Sequence, residues 1–100
     1  MLTVLQTEYF RRWLDDLTDV KAQARIAARL RHVESGHLGD WKPLGEGLAE
    51  MRVDVGPGYR LYFTRRQRII IVMLAGGDKS SQRRDITRAR KMLLKLELEP

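Results

Sequence analysis

The chain has 100 residues, with 19 Lys and Arg against 13 Asp and Glu for a formal charge of +6, 43% apolar residues and no cysteine. That length supports one hydrophobic core, so a single domain over residues 1–100 is expected, and the absence of cysteine excludes disulfide frameworks, thiolate zinc sites and cysteine nucleophiles. No run approaches the roughly 20 apolar residues of a membrane span, and the start Met1-Leu2-Thr3-Val4-Leu5 lacks the charged segment of a secretory leader, so a cytoplasmic protein is expected.

In chain order, Leu2, Val4 and Gln6 alternate with Thr3, Leu5 and Thr7, a short strand. Thr7 can cap a first helix, in which Tyr9, Phe10, Trp13, Leu14 and Leu17 recur at helical spacing. Thr18 and Asp19 restart the pattern; Val20, Ala24, Ala27, Leu30 and Val33 predict the apolar face of a second helix stopped by Gly36. So short a link predicts an antiparallel helical hairpin. A long loop follows. Leu48 to Val55 alternates, with Ala49, Met51, Val53 and Val55 on the core face. A three-residue turn at Gly56-Pro57-Gly58 would then pair Val55 with Tyr59, Asp54 with Arg60 and Arg52 with Tyr62. Arg65-Arg66-Gln67-Arg68 is the next turn. Ile69 to Ala75 is apolar on both faces and reads as the central strand, ended by Gly76-Gly77. Ser80 or Ser81 would cap a last helix, from about Gln82 to Leu96, with Ile86, Ala89, Leu93 and Leu96 as its apolar stripe. The expected fold is α+β: an N-terminal strand, an antiparallel helical hairpin, a three-stranded antiparallel meander and a C-terminal helix.

The charge is uneven. Residues 1–50 hold seven basic and eight acidic side chains, a net of −1, and residues 51–100 hold twelve and five, a net of +7. A basic half gains counterion-release free energy on meeting phosphates, so a polyanion partner is expected, against the plainer reading of a solvated face. Arg52, Arg60, Tyr62 and Lys79 are the candidate site, converging on one concave surface. Guanidinium groups hold a phosphate bidentately, and a nearby lysine adds a point charge. The plainer alternative makes Asp54 with Arg60, and Glu50 or Asp78 with their neighbours, surface ion pairs worth about 0–1 kcal/mol.

Other motifs carry less. Gly76-Gly77-Asp78-Lys79-Ser80-Ser81 fails the nucleotide phosphate-loop spacing. His32 and His37 have no third imidazole or thiolate to complete a metal site and read as a solvated helix end; no metal or other cofactor is expected. Trp41 and Tyr62 are the aromatics best suited to a base contact, and Trp41 would serve equally to close the core beneath the long loop.

Four segments in order then carry a resemblance: Gly36-His37-Leu38-Gly39-Asp40-Trp41-Lys42, Gly45-Glu46-Gly47-Leu48-Ala49-Glu50-Met51-Arg52, Gly56-Pro57-Gly58-Tyr59-Arg60-Leu61-Tyr62-Phe63, and Gly76 through Gln82. Together they resemble the RelE/ParE superfamily of type II toxin-antitoxin toxins, in particular its HigB-like addiction module killer subgroup. The resemblance implies a cytoplasmic toxin neutralised in a hetero-oligomer by a helix-turn-helix, HigA-like antitoxin. It also implies metal-independent mRNA cleavage at the ribosome, in which the 2′-hydroxyl attacks the adjacent phosphate. By position, Arg52, Arg60 and Lys79 would hold the scissile phosphate, while Lys42 and the last helix, with Arg83, Arg84 and Arg88, would meet RNA. RelE-like enzymes often carry a tyrosine or histidine near the C-terminus for proton transfer, and none follows Tyr62 here. Tyr62 or Lys79 would have to substitute. The same departure leaves open a ParE-like, non-enzymatic inhibitor of DNA gyrase, or a nucleic-acid-binding relative without chemistry.

Overall fold

The computed structural model describes residues 1–98. Its elements are β1 (Thr3–Gln6), α1 (Glu8–Asp15), α2 (Val20–Glu34), β2 (Trp41–Gly45), β3 (Leu48–Val53), β4 (Tyr59–Arg66), β5 (Ile70–Asp78), a 3-10 turn (Lys79–Ser81) and α3 (Gln82–Leu98). The strands form one sheet in the order β1-β5-β4-β3-β2, with β1 parallel to β5 and the remaining neighbours antiparallel. The α+β class holds, but the meander has four strands rather than three. The segment read as a long loop contains β2, whose Gly, Pro and Lys content hides a strand; edge strands tolerate such residues because one side of their backbone is unpaired.

Both helix starts follow their cap chemistry. The Thr7 hydroxyl accepts from the Phe10 amide at 3.0 Å and donates to the Leu74 carbonyl at 2.9 Å, so one side chain caps α1 and fastens it to β5. The Leu74 carbonyl is free for this because β5 bulges there: Tyr62 pairs with Ala75 but Phe63 with Met73. Asp19 caps α2, and Gly36, at φ +96°, closes it with the paired bonds of a Schellman motif, His37 amide to His32 carbonyl and Gly36 amide to Val33 carbonyl. The buried face of α2 is Ala22, Ile26, Leu30 and Val33, not the phase set by Val20 and Ala24, both of which are exposed. Alanines are too weakly apolar to set a helix's phase, and the bulkier Ile26 decides it. The two helices are joined by a short link and tied where Gln23 donates to the Leu14 carbonyl at 2.9 Å, but each rests on the sheet, α1 on β5 and α2 on β1 and β3.

The sheet is covered on both faces. Phe10, Ile26, Leu30 and Val33 meet Met51, Val53, Leu61, Phe63, Ile71 and Met73 on one side. Ala89 and Leu93 of α3 meet Leu48, Tyr62, Val72 and Leu74 on the other. This double covering explains the continuous apolar run of β5, which is interior but not central; the middle strand is β4. Gly76 and Gly77 do not end β5 but extend it to Asp78. They are glycines because side chains from both layers press onto the strand: a Cβ at Gly76 would lie 2.4 Å from the Trp13 ring, and one at Gly77 would lie 1.8 Å from an Asp85 carboxylate oxygen. Neither Ser80 nor Ser81 caps α3. Asp78 caps the intervening 3-10 turn by accepting from the Ser80 hydroxyl at 2.5 Å and the Ser80 amide at 2.8 Å, and these bonds, the hydroxyl's foremost, hold its carboxyl below the usual range.

Candidate functional site

The β3–β4 hairpin is built in a different register from the one expected. Val53 pairs with Tyr59, Arg52 with Arg60 and Glu50 with Tyr62, two residues from the expected pairing. The loop is Asp54 to Gly58 rather than three residues, with Gly56 and Gly58 at positive φ. A shift of two leaves every side chain on its expected face and changes only its cross-strand partner. Arg60 therefore faces Arg52, and its ion pair is with Glu50, not Asp54.

Arg52, Arg60 and Lys79 line one concavity of about 330 Å³, together with Asp40, Asp54 and the loop Gly56-Pro57-Gly58. Lys79 reaches it because its amide donates to the Gly58 carbonyl at 3.0 Å, which holds the end of β5 against the hairpin loop. Two guanidinium groups directly opposed across strands repel one another. The compensation is Glu50, fully buried on the same face, with one carboxylate oxygen 3.5 Å from Arg52 Nε and the other 3.6 Å from Arg60 Nε. Gln82, the first residue of α3, donates to Glu50 Oε1 at 2.9 Å. Arg52 is about half exposed and Arg60 mostly covered, so the site presents one open and one recessed cation.

Tyr62 is not on that open surface. It is fully buried beneath α3, and its hydroxyl has no hydrogen-bond partner among the described residues. Burial first, then the nearby Glu50 and Asp85 carboxylates, push its phenol far above the ordinary value, with Arg60 opposing. At neutral pH it is a neutral phenol shut away from solvent. Trp41, the other aromatic candidate, is 43% exposed, but it pairs with Met51 and packs against Phe63 on the opposite sheet face from the arginines.

The proposed RNA contacts divide in two. Lys42 is exposed and pairs with Glu50, so it lies on the arginine face of the edge strand. Arg83 and Arg84 are exposed near the start of α3. Arg88 is turned to α1, where its guanidinium lies 4.8 Å from the Tyr9 ring centre and donates to the Tyr9 hydroxyl. Among the described residues no three His, Cys, Asp or Glu side chains gather as a metal-binding group, and no helix is long and apolar enough to cross a membrane.

Two residues that shape the site gave little signal in the sequence. Glu50 sits on the polar side of an alternating strand and reads as a surface acid; only α3 makes that side interior. Arg29 looks like one of several helix cations, yet its guanidinium donates to the carbonyls of Leu38 at 2.8 Å, Asp40 at 2.7 Å and Arg52 at 2.8 Å. It thereby holds the β2 approach against β3 at the residue that carries the exposed site arginine. Gly39, at φ +73°, allows this approach, since a Cβ there would lie 2.7 Å from the guanidinium carbon.

Comparison with known proteins accords with this extent of the chain. The chain is 36% identical over 97 residues to an uncharacterized protein of Haemophilus influenzae strain Rd, a match covering 97% of this chain and 98% of the relative. Residues 12–94, from within α1 to near the end of α3, match the family described as phage derived protein Gp49-like (DUF891). A match over so much of the chain, spanning all the strands after β1 and the whole Arg52–Arg60–Lys79 concavity, makes this protein a member of the phage-derived Gp49-like family.

Proposed function

We propose that this protein is the toxin of a type II toxin-antitoxin pair, a RelE/ParE-like, HigB-like mRNA endonuclease that acts in the cytoplasm at the ribosome. The observation that carries this reading is the meeting of Arg52, Arg60 and Lys79, from three different segments, in one concavity of a chain whose second half is strongly basic. Its Gp49-like membership and the four resembling segments support the same assignment.

On this reading a phosphodiester lodges between the guanidinium groups, whose bidentate bonds orient the phosphorus for in-line attack. The 2′-oxygen forms its bond to phosphorus as its proton passes to solvent, and the bond to the 5′-oxygen breaks. Negative charge grows on the non-bridging oxygens, and Arg52 and Arg60 stabilise it there. The departing 5′-oxygen takes a proton from Lys79, the exposed ammonium at the rim, because Tyr62 is buried. Lys42, Arg83 and Arg84 supply further phosphate contacts, and a helix-turn-helix antitoxin neutralises the toxin in a hetero-oligomer.

A second reading, ParE-like inhibition of DNA gyrase by binding alone, is favoured by one observation: the burial of Tyr62 removes the aromatic proton-transfer candidate. Induction separates the two. Mapping of transcript 5′ ends should show new ends within translated messages minutes after induction, and these should disappear with Arg60→Ala, which is expected to lower cleavage by roughly 100-fold or more. Intact transcripts accompanied by DNA breaks would reject the endonuclease and support gyrase inhibition.

A further inference from the structure

We infer that Glu50 is a positioning residue for this site: a single buried carboxylate that takes the Nε side of both Arg52 and Arg60, aims their outer ends at the ligand, and is itself fastened by Gln82 of α3. The inference rests on the phosphate-site reading and adds to it the group that arranges the arginines.

A carboxylate with no solvent exposure is costly to bury and persists only where charge and hydrogen bonds compensate it. Here both carboxylate oxygens are engaged by cations, at 3.5 and 3.6 Å, and one also accepts from Gln82 at 2.9 Å. Those arginine distances are long for hydrogen bonds, and Arg60 Nε is buried with no hydrogen-bond partner among the described residues, so the hold is mainly electrostatic. Both ion pairs use Nε. That leaves the terminal nitrogens of each guanidinium for the concavity, and Arg60 Nη1 comes within 3.9 Å of the position a Gly58 Cβ would take in the lining loop. Without Glu50, two like charges paired across neighbouring strands would swing apart.

Positioning and simple electrostatics predict opposite signs. Removing a negative charge beside an anion site should by itself tighten anion binding, whereas releasing both arginines should weaken it. The probe is a short RNA oligonucleotide bearing 2′-O-methyl groups, which blocks attack, titrated against the full chain at low salt. Glu50→Gln is expected to raise Kd by roughly tenfold, and Gln82→Ala, which keeps the charge but removes its anchor, by roughly threefold. In parallel, 15N relaxation should report ordered Nε–H groups for Arg52 and Arg60 in the wild type and mobile ones in Glu50→Gln. Unchanged or tighter RNA binding by folded Glu50→Gln overturns the inference. If that variant does not fold, Gln82→Ala decides, and a wild-type Kd then overturns it. Failure of the wild type to bind RNA would reject the phosphate-site reading. Arginine order, which needs no RNA, would still decide the role of Glu50: retained order in the variants refutes it, and lost order supports it.

Discussion

Gly77→Ala tests how tightly α3 is fitted against the strand that carries the site. Gly77 lies in extended β5 backbone opposite Arg60, where alanine is ordinarily better than glycine by about 0.4–1 kcal/mol because it restricts the unfolded chain. The structure reverses that sign. The added Cβ would stand 1.8 Å from Asp85 Oδ2 and 2.7 Å from the Ser81 hydroxyl oxygen, which themselves bond to each other at 2.5 Å. Asp85 is buried, so its carboxylate cannot swing into water without moving the first turns of α3. Forcing an extra methyl into packed surroundings costs about 1–3 kcal/mol, and losing a hydrogen bond to a charged group about 1.5–3 kcal/mol. The net destabilisation is therefore about 2–5 kcal/mol, or a fall in Tm of at least roughly 8 °C for a domain of this size. Urea and thermal unfolding measure it. The companion Asp85→Ala removes the obstructing oxygen, so Gly77→Ala should cost much less in that background, a coupling well above the 0.5 kcal/mol of independent sites. Wild-type stability for Gly77→Ala, or additivity in the double mutant, would refute the packing argument.

Tyr62→Phe removes a buried hydroxyl that has no partner, so stability should be unchanged or gain up to about 1 kcal/mol. RNA cleavage should change by less than about threefold, whereas a proton-transfer role would cost roughly 100-fold or more. The same variant tests pH dependence. The phenol's folded-state pKa is raised, so the folded state holds a proton that the unfolded state releases near its ordinary value. Its contribution is complete below about pH 10 and declines as pH rises above it. The alkaline loss of stability should thus be shallower in Tyr62→Phe, with a remainder from Tyr59, whose pKa is also raised, mainly by burial; an unchanged alkaline limb in urea titrations would contradict the assignment. Arg29→Ala deprives three carbonyls of their shared donor and should cost about 2–3 kcal/mol by urea unfolding. Arg29→Lys should recover less than half of that, since an ammonium lacks the planar fork. A loss under about 0.5 kcal/mol in Arg29→Ala would show that water replaces the guanidinium.

The local chemistry of the chain was legible where one residue type had one job. Thr7 and Asp19 announce the starts of α1 and α2, Gly36 announces the end of α2, and alternation in Leu48–Val53 and Tyr59–Phe63 sorts core from non-core side chains. Periodicity of two cannot distinguish registers two residues apart, so alternation fits Arg52 opposite Tyr62 as well as opposite its actual partner, Arg60. The choice was made by the five-residue loop, whose Gly56 and Gly58 adopt positive φ. Gly76 and Gly77 looked like a strand end because nothing nearby in the chain reveals the Trp13 ring and the Asp85 carboxylate that close on them.

The candidate site shows the same division. Its cations could be named from charge and spacing, and three of the four candidate residues, Arg52, Arg60 and Lys79, share one concavity. Which polar side chains face water was beyond reach. Alternation marks Glu50 and Tyr62 as lying off the main core, but it does not say that α3, which begins at Gln82, arrives from further along the chain to cover them. Once covered, a carboxylate must be paired and a phenol must stay neutral, because a low-dielectric interior penalises isolated charge. The chain's pattern therefore determined the faces and the supply of charge; the packing of α3 on the sheet decided which of those charges became buried, and so which arginines are held at the opening.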